Sequence, residues 1–161
     1  MSATRPQSAL HLFLDSGVLV DGLFNRWGTC KAVLILATQR RQFRAVIAEP
    51  VALEVARAVG SRTGRVDTSA AATIREEIER WFAVARPESV PWPSPNEMAA
   101  WAHLLAVVRH RNDLPSVVAA VLARPDWVIS TNDRHWNQAL ADRIGIRVAP
   151  PRDFLAQLRS S

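Results

Sequence analysis

Residues Asp113 to His135 read DLPSVVAAVLARPDWVISTNDRH. An acidic residue precedes an apolar, helix-forming stretch; a short β-rich run follows, and a second acidic residue comes just beyond it. Trp127-Val128-Ile129 is continuously apolar, the pattern of a parallel strand buried on both faces, and Ser130, Thr131 and Asn132 mark where that strand stops. Asp133 then stands at the carboxyl end of a strand, the edge of an open α/β sheet where ligands and chemistry gather. Asp113 opens the preceding helix, with Leu114 and Pro115 as its first residues, which suits an N-cap carboxylate followed by a first-turn proline. Taken alone, each carboxylate is equally well explained as part of a helix start. The rest of the chain has to separate a structural role from a chemical one.

Upstream, Leu10-His11-Leu12-Phe13-Leu14 is a first buried strand ending at Asp15, with Ser16 and Gly17 directly after it. Asp15 therefore has the same placement as Asp133, and His11, inside the strand, reads as a hydrogen-bonded structural histidine. A short helix from Val18 to Arg26 is broken at Gly28-Thr29 before a longer one from Cys30 to Arg41. Arg44 to Ala48 is the second strand. Pro50 sits in the first turn of a helix from Val51 to Val59 that Gly60 closes. On that helix Glu54 is acidic among Val51, Ala52, Leu53, Val55 and Ala56, which marks either a solvent face or a site.

A polar connector from Ser61 to Thr68 leads to a helix from Ser69 to Arg86, whose Glu76, Glu77 and Glu79 form a solvated face paired with neighbouring arginines. Ser89 to Trp92 is a short third strand. Ser94-Pro95-Asn96-Glu97 is a capping box with proline at the first helical position, starting a helix that runs to about Val108. After Asp133 come a short helix from His135 to Asp142 closed by Gly145, a last strand at Ile146-Arg147-Val148, and a terminal helix ending near Leu158. Strands alternating with helices predict one α/β domain over residues 8–159, with a central parallel sheet of about four to five strands flanked by helices on both faces.

Composition bounds the function. The chain has 161 residues, 48% of them hydrophobic, enough for one proper core. No apolar run is long enough to span a bilayer, and Asp15 interrupts the apolar stretch that a signal peptide would need, so a cytoplasmic protein without membrane contact is expected. The single cysteine, Cys30, excludes an internal disulfide and a cysteine metal cage; its apolar helical setting marks a packed thiol. Net charge is +5 and Lys31 is the one basic residue that is not arginine, which permits a polyanionic partner but shows no basic cluster.

Asp15, Glu54, Asp113 and Asp133 are the carboxylates at strand ends and helix starts. Gathered in one pocket they would repel strongly unless a cation compensated. Oxygen donors without cysteine or paired histidine select Mg²⁺ or Mn²⁺, held by few carboxylates and several waters. Such a site suits phosphodiester hydrolysis, because a bound ion acidifies water and can stabilise a leaving oxygen.

Four motifs in this order resemble those of the PIN domain: a strand ending in Asp15-Ser16, Glu54 on the helix after the second strand, Asn112-Asp113-Leu114-Pro115, and Ser130-Thr131-Asn132-Asp133-Arg134-His135-Trp136. The pattern is especially similar to the bacterial toxin-type (VapC-like) branch, whose members often carry a D-L-P helix start and a T-x-D-x-H-[FW] turn. The resemblance spans about Leu10 to Leu158, including the Asp153-Phe154-Leu155 helix start. It implies a metal-dependent ribonuclease in which Asp15, Glu54, Asp113 and Asp133 hold Mg²⁺ or Mn²⁺ and activate water, with Thr131 and Ser16 in support; His135, two residues past Asp133, is within reach of a phosphate or water but reads first as a surface or hydrogen-bonding histidine. It further implies RNA as substrate, a small cognate antitoxin as partner, and a homodimer. In one departure, Gly17 stands where many relatives have Asn, which removes a polar contact but no ligand. Trp136 continues the apolar side of a helix start and reads as a packing residue.

Rival readings are weaker. A phosphohydrolase with an aspartate nucleophile after the first strand would need a second carboxylate where Gly17 stands. No G-x-G-x-x-G or P-loop follows any strand, which argues against a nucleotide-cofactor enzyme. The remaining alternative is a catalytically inactive PIN-like module that binds RNA or protein, against which the presence of all four acidic positions argues.

Overall fold

In the computed structural model, which describes residues 8–160, five parallel strands form one sheet in the order β3-β2-β1-β4-β5. The strands are β1 (Leu10–Leu14), β2 (Phe43–Ala48), β3 (Glu88–Val90), β4 (Trp127–Ile129) and β5 (Arg147–Ala149). Between β1 and β2 lie α1 (Ser16–Phe24) and α2 (Thr29–Ala37), and between β2 and β3 lie α3 (Glu49–Thr63) and α4 (Thr68–Ala85). The chain then crosses back through α5 (Pro95–Ala100) and α6 (Leu114–Ala123) to β4, and α7 (Gln138–Ile144) and α8 (Pro151–Arg159) bracket β5.

Leu12, Phe13 and Leu14 are fully buried in succession. Because successive strand side chains point to opposite faces, both faces of the sheet are covered there. The same holds for Trp127, Val128 and Ile129 on β4, where Phe154 of α8 meets the Trp127 ring edge-on. β1 pairs with β2 on one side and β4 on the other, so strand order reverses between β1 and β4. That reversal is a topological switch point, the place where open α/β sheets leave a crevice beyond their carboxyl ends. Among the described residues no helix is long and apolar enough to cross a membrane.

Several elements differ from expectation. Helix α3 runs through Gly60 to Thr63, because Gly60 stays helical and the Thr63 hydroxyl donates back to the Val59 carbonyl at 2.8 Å. The capping box of α5 forms in both directions, but the helix ends at Ala100 and a 3₁₀ turn over Ala102–Ala106 continues the path. Helix α7 begins at Gln138 and not at His135, since Asn137 caps it by accepting the Leu140 N–H; residues between Asp133 and Asn137 form a turn. Glu76, Glu77 and Glu79 are exposed as expected, but among the described residues none is in an ion pair. The stretch before Ser8, expected to be a loose terminus, lies outside the described residues.

Cys30 is a packed thiol. Burial, aided by a hydrogen bond to and the charge of Asp21, pushes its pKa up to about 12, far from a nucleophile's range. Trp136 is likewise buried, its ring 6.1 Å from that of Phe13.

Candidate active site

Asp15 follows β1 directly and is 8% exposed, an unusual position for a carboxylate. Its backbone N–H donates to the Ile129 carbonyl at 3.1 Å, which carries the β1–β4 ladder one residue past the strand. Although Asp15 occupies the N-cap position of α1 with extended backbone, its side chain caps nothing. Its Oδ2 instead accepts a 2.6 Å hydrogen bond from the buried Ser130 hydroxyl at the end of β4. The Ser130 oxygen in turn accepts the Asn132 N–H at 3.0 Å. Two adjacent strand ends thus hold one carboxylate in place through a charge-assisted bond.

Asp113 also fails to act as a cap. The 3₁₀ turn Arg111–Asp113 brings the chain into α6 already in right-handed helical conformation, so Asp113 lacks the extended backbone that capping requires. Its Oδ2 lies 3.3 Å from His135 Nδ1 instead. The angle there does not make a hydrogen bond, and neither nitrogen of the buried His135 ring has one. The 130–136 turn therefore touches both acidic centres: Ser130 meets Asp15 and His135 meets Asp113.

Thr131 occupies the space next to Gly17. A Cβ at position 17 would lie 2.6 Å from Thr131 Oγ1, so the threonine hydroxyl fills the room a side chain there would need. Ser16, the first residue of α1, is half-buried beside Asp15.

Glu54 and Asp133 are placed differently. Both are exposed, and among the described residues neither is in an ion pair. Glu54 lies five residues into α3, about 7.5 Å along the axis from the helix start at the end of β2. Among the described residues no three His, Cys, Asp or Glu side chains stand close enough together to hold a metal ion. The four carboxylates thus do not close into a cage. Magnesium keeps several waters and is commonly bound through one or two carboxylates, so Asp15 and Asp113 suit it as hard oxygen donors.

Beside Asp113 opens a cleft of about 480 Å³ lined by Arg109, His110, Asp113, Asn132, Arg134 and His135. Sequence reasoning singled out Asp113 and His135 there but passed over Arg109, His110 and Arg134, which lie among arginines spread along the whole chain. In the sequence, Ser130 reads as the end of a strand and the first residue of a motif, without a role at the site. The one local sign was a hydroxyl residue directly after a fully apolar strand, at the sheet edge that already carried Asp15.

No family model matches the chain, and no curated protein matches it. Among solved structures, the chain is similar to one described as "Crystal structure of VapBC2 from Rickettsia felis bound to a DNA fragment from their promoter". The TM-score is 0.60 at 11% identity, over 88% of this chain and 98% of that one. At this identity the likeness shows the fold, and that fold is the PIN-like arrangement of a five-stranded parallel sheet flanked by helices.

Proposed function

We propose that this protein is a divalent-metal-dependent endoribonuclease acting as the toxin of a toxin–antitoxin pair. The observation that carries the reading is Asp15: a buried carboxylate at the switch point, free of any capping duty and fixed by Ser130 from the neighbouring strand. A buried charge is costly unless it is paired or binds a cation, and one hydroxyl donor compensates it only in part. The fold likeness to a chain of the VapBC2 complex supports the toxin assignment and, with it, a small antitoxin as partner. A cytoplasmic setting and a homodimer belong to the same reading.

Asp15 and Asp113 would hold a Mg²⁺ or Mn²⁺ ion, and Glu54 and Asp133, the other two carboxylates of the proposed site, would act on it through intervening water. When bound, the ion supplies positive charge against phosphate oxygens and makes water more acidic. Ser130 orients the Asp15 carboxylate, Thr131 and Ser16 offer hydroxyls beside it, and the His135 ring stands against Asp113.

The test is cleavage of a mixed structured RNA pool with Mn²⁺, Mg²⁺ or chelator, beside Asp15→Asn. Metal-dependent cutting that falls at least about a hundredfold in the variant is expected, since one positioned catalytic group is commonly worth that much. Full activity in Asp15→Asn would sink the assignment. The spread of Glu54 and Asp133 away from a closed cage favours a second reading, a non-catalytic RNA- or protein-binding module. A rise in melting temperature at millimolar metal, by selective binding to the folded state, separates the two; the binding module shows none.

A further inference from the structure

The cleft beside Asp113 has more charge than the reaction centre uses. Arg109, His110 and Arg134 are exposed on its walls, and His135 is its buried lining residue at 6% exposure. Among the described residues neither the Arg109 nor the Arg134 guanidinium is in an ion pair. A few arginines elsewhere have side-chain partners, Arg44 at Glu88, Arg147 over the Trp127 ring and Arg62 over Phe24; what sets Arg109 and Arg134 apart is that they share one cleft beside Asp113. Two permanent cations line one small cleft, and the carboxylate that shares it, Asp113, lies against His135 and pairs with neither of them, which leaves ten N–H donors for a ligand. The second sign is His135, whose buried ring nitrogens both lack a hydrogen-bond partner. Trp136 Nε1 beside it is unpaired as well, and buried polar groups left without a partner call for an explanation such as a functional role or a bound water or ion.

We propose that this cleft is a phosphate subsite, gripping an RNA phosphodiester next to the one attacked at Asp15 and Asp113. Arg109 and Arg134 are its charge-bearing donors, with His110 beside them. The planar guanidinium fork matches two phosphate oxygens at once, which a point charge does not. Asp113 repels an anion, so the bound phosphate sits on the arginine side of the cleft, and the carboxylate side is left to the metal. Holding the neighbouring phosphate fixes the register of the strand on the enzyme and carries no base sequence. Arg109 and Arg134 are thus positioning residues for the reaction. The inference rests on the nuclease reading only in calling that neighbour the scissile phosphate; the subsite itself needs only RNA.

The experiment measures binding of a fluorescent single-stranded RNA to the full chain in chelator over a range of salt, with cleavage assayed separately in Mn²⁺. Arg109→Gln/Arg134→Gln should bind at least about tenfold more weakly. Its slope of log affinity against log salt should fall by about 1.4, two contacts at about 0.7 each. Arg109→Lys/Arg134→Lys should recover the slope and only part of the affinity, which a folding defect would not do. Arg75→Gln/Arg159→Gln, removing the same charge outside the cleft, should do neither. Unchanged binding in the first variant, or an equal loss in the control, overturns the subsite and leaves the nuclease reading intact. RNA binding that responds to the cleft arginines, without metal-dependent cutting, keeps the subsite and sinks the nuclease. An unmodified protein that does not bind RNA overturns both.

Discussion

The two ends of β1 carry charge in opposite ways. At the amino end, His11 donates its backbone N–H to Asp126 at 2.7 Å, its Nε2 lies 3.4 Å from Glu88, and Glu88 also meets Arg44 at 3.8 Å. The charges of this group answer one another, and the group is half-exposed. At the carboxyl end, four residues on, Asp15 is buried with one hydroxyl donor, and Asp113 faces a histidine without a hydrogen bond. Arg109, Arg134, Glu54 and Asp133 are in no ion pair among the described residues. Proteins break their own rules of charge pairing mainly at functional sites, and the contrast along a single strand is what supports placing the proposed site at its carboxyl end.

The largest effect that could break this contrast comes from Ser130→Ala. It removes the donor to a buried carboxylate, a bond to a charged group worth about 1.5–3 kcal/mol. At this chain length melting falls roughly 2–4 °C per kcal/mol, and RNA cleavage should drop with it, both readable by calorimetry and gel assay. Unchanged melting and activity would mean that Ser130 holds nothing.

A middle effect is expected from Gly17→Ala, because its Cβ would arrive 2.6 Å from Thr131 Oγ1 and push that hydroxyl aside. Cleavage should weaken severalfold while the fold survives. Adding Thr131→Ala should relieve the clash, restoring melting temperature but not the activity that the hydroxyl supports; full recovery of activity would remove Thr131 from the site. The smallest effect belongs to the other end of β1. Glu88→Gln weakens two exposed ion pairs and should cost at most about 1 kcal/mol, with cleavage unchanged. A large loss of cleavage there would erase the distinction between the ends.

Much of the fold was legible. The apolar run Trp127-Val128-Ile129 and the alternation of strands with helices led to an all-parallel sheet, and Asp15 and Asp133 follow strands on its carboxyl side as expected. The reading of Asp113 as a cap failed because a 3₁₀ turn, not announced by residue type, precedes α6. Gly60 looked like a helix stop, yet its backbone stays helical and α3 runs on to a cap at Gly64, whereas Gly145 closes α7 in the left-handed conformation at φ 70°. Gly17 looked like the loss of a polar group, whereas the Thr131 hydroxyl comes to that place from another strand end. Glu54 is exposed on α3 and belongs to no metal-holding cluster of side chains among the described residues, which spacing along the chain could not reveal.

The sequence by itself determined what lies within a few residues of each position: which stretches extend, which coil, and that carboxylates follow the buried strands. These come from side-chain periods of two and of 3.6 residues, which act locally. Only the tertiary structure decided that Ser130 holds Asp15 across 115 positions, that His135 meets Asp113, and that Arg109 and Arg134 face one cleft. Those pairings depend on β4 lying beside β1, and strand order is set by packing of the whole chain, which no local period encodes.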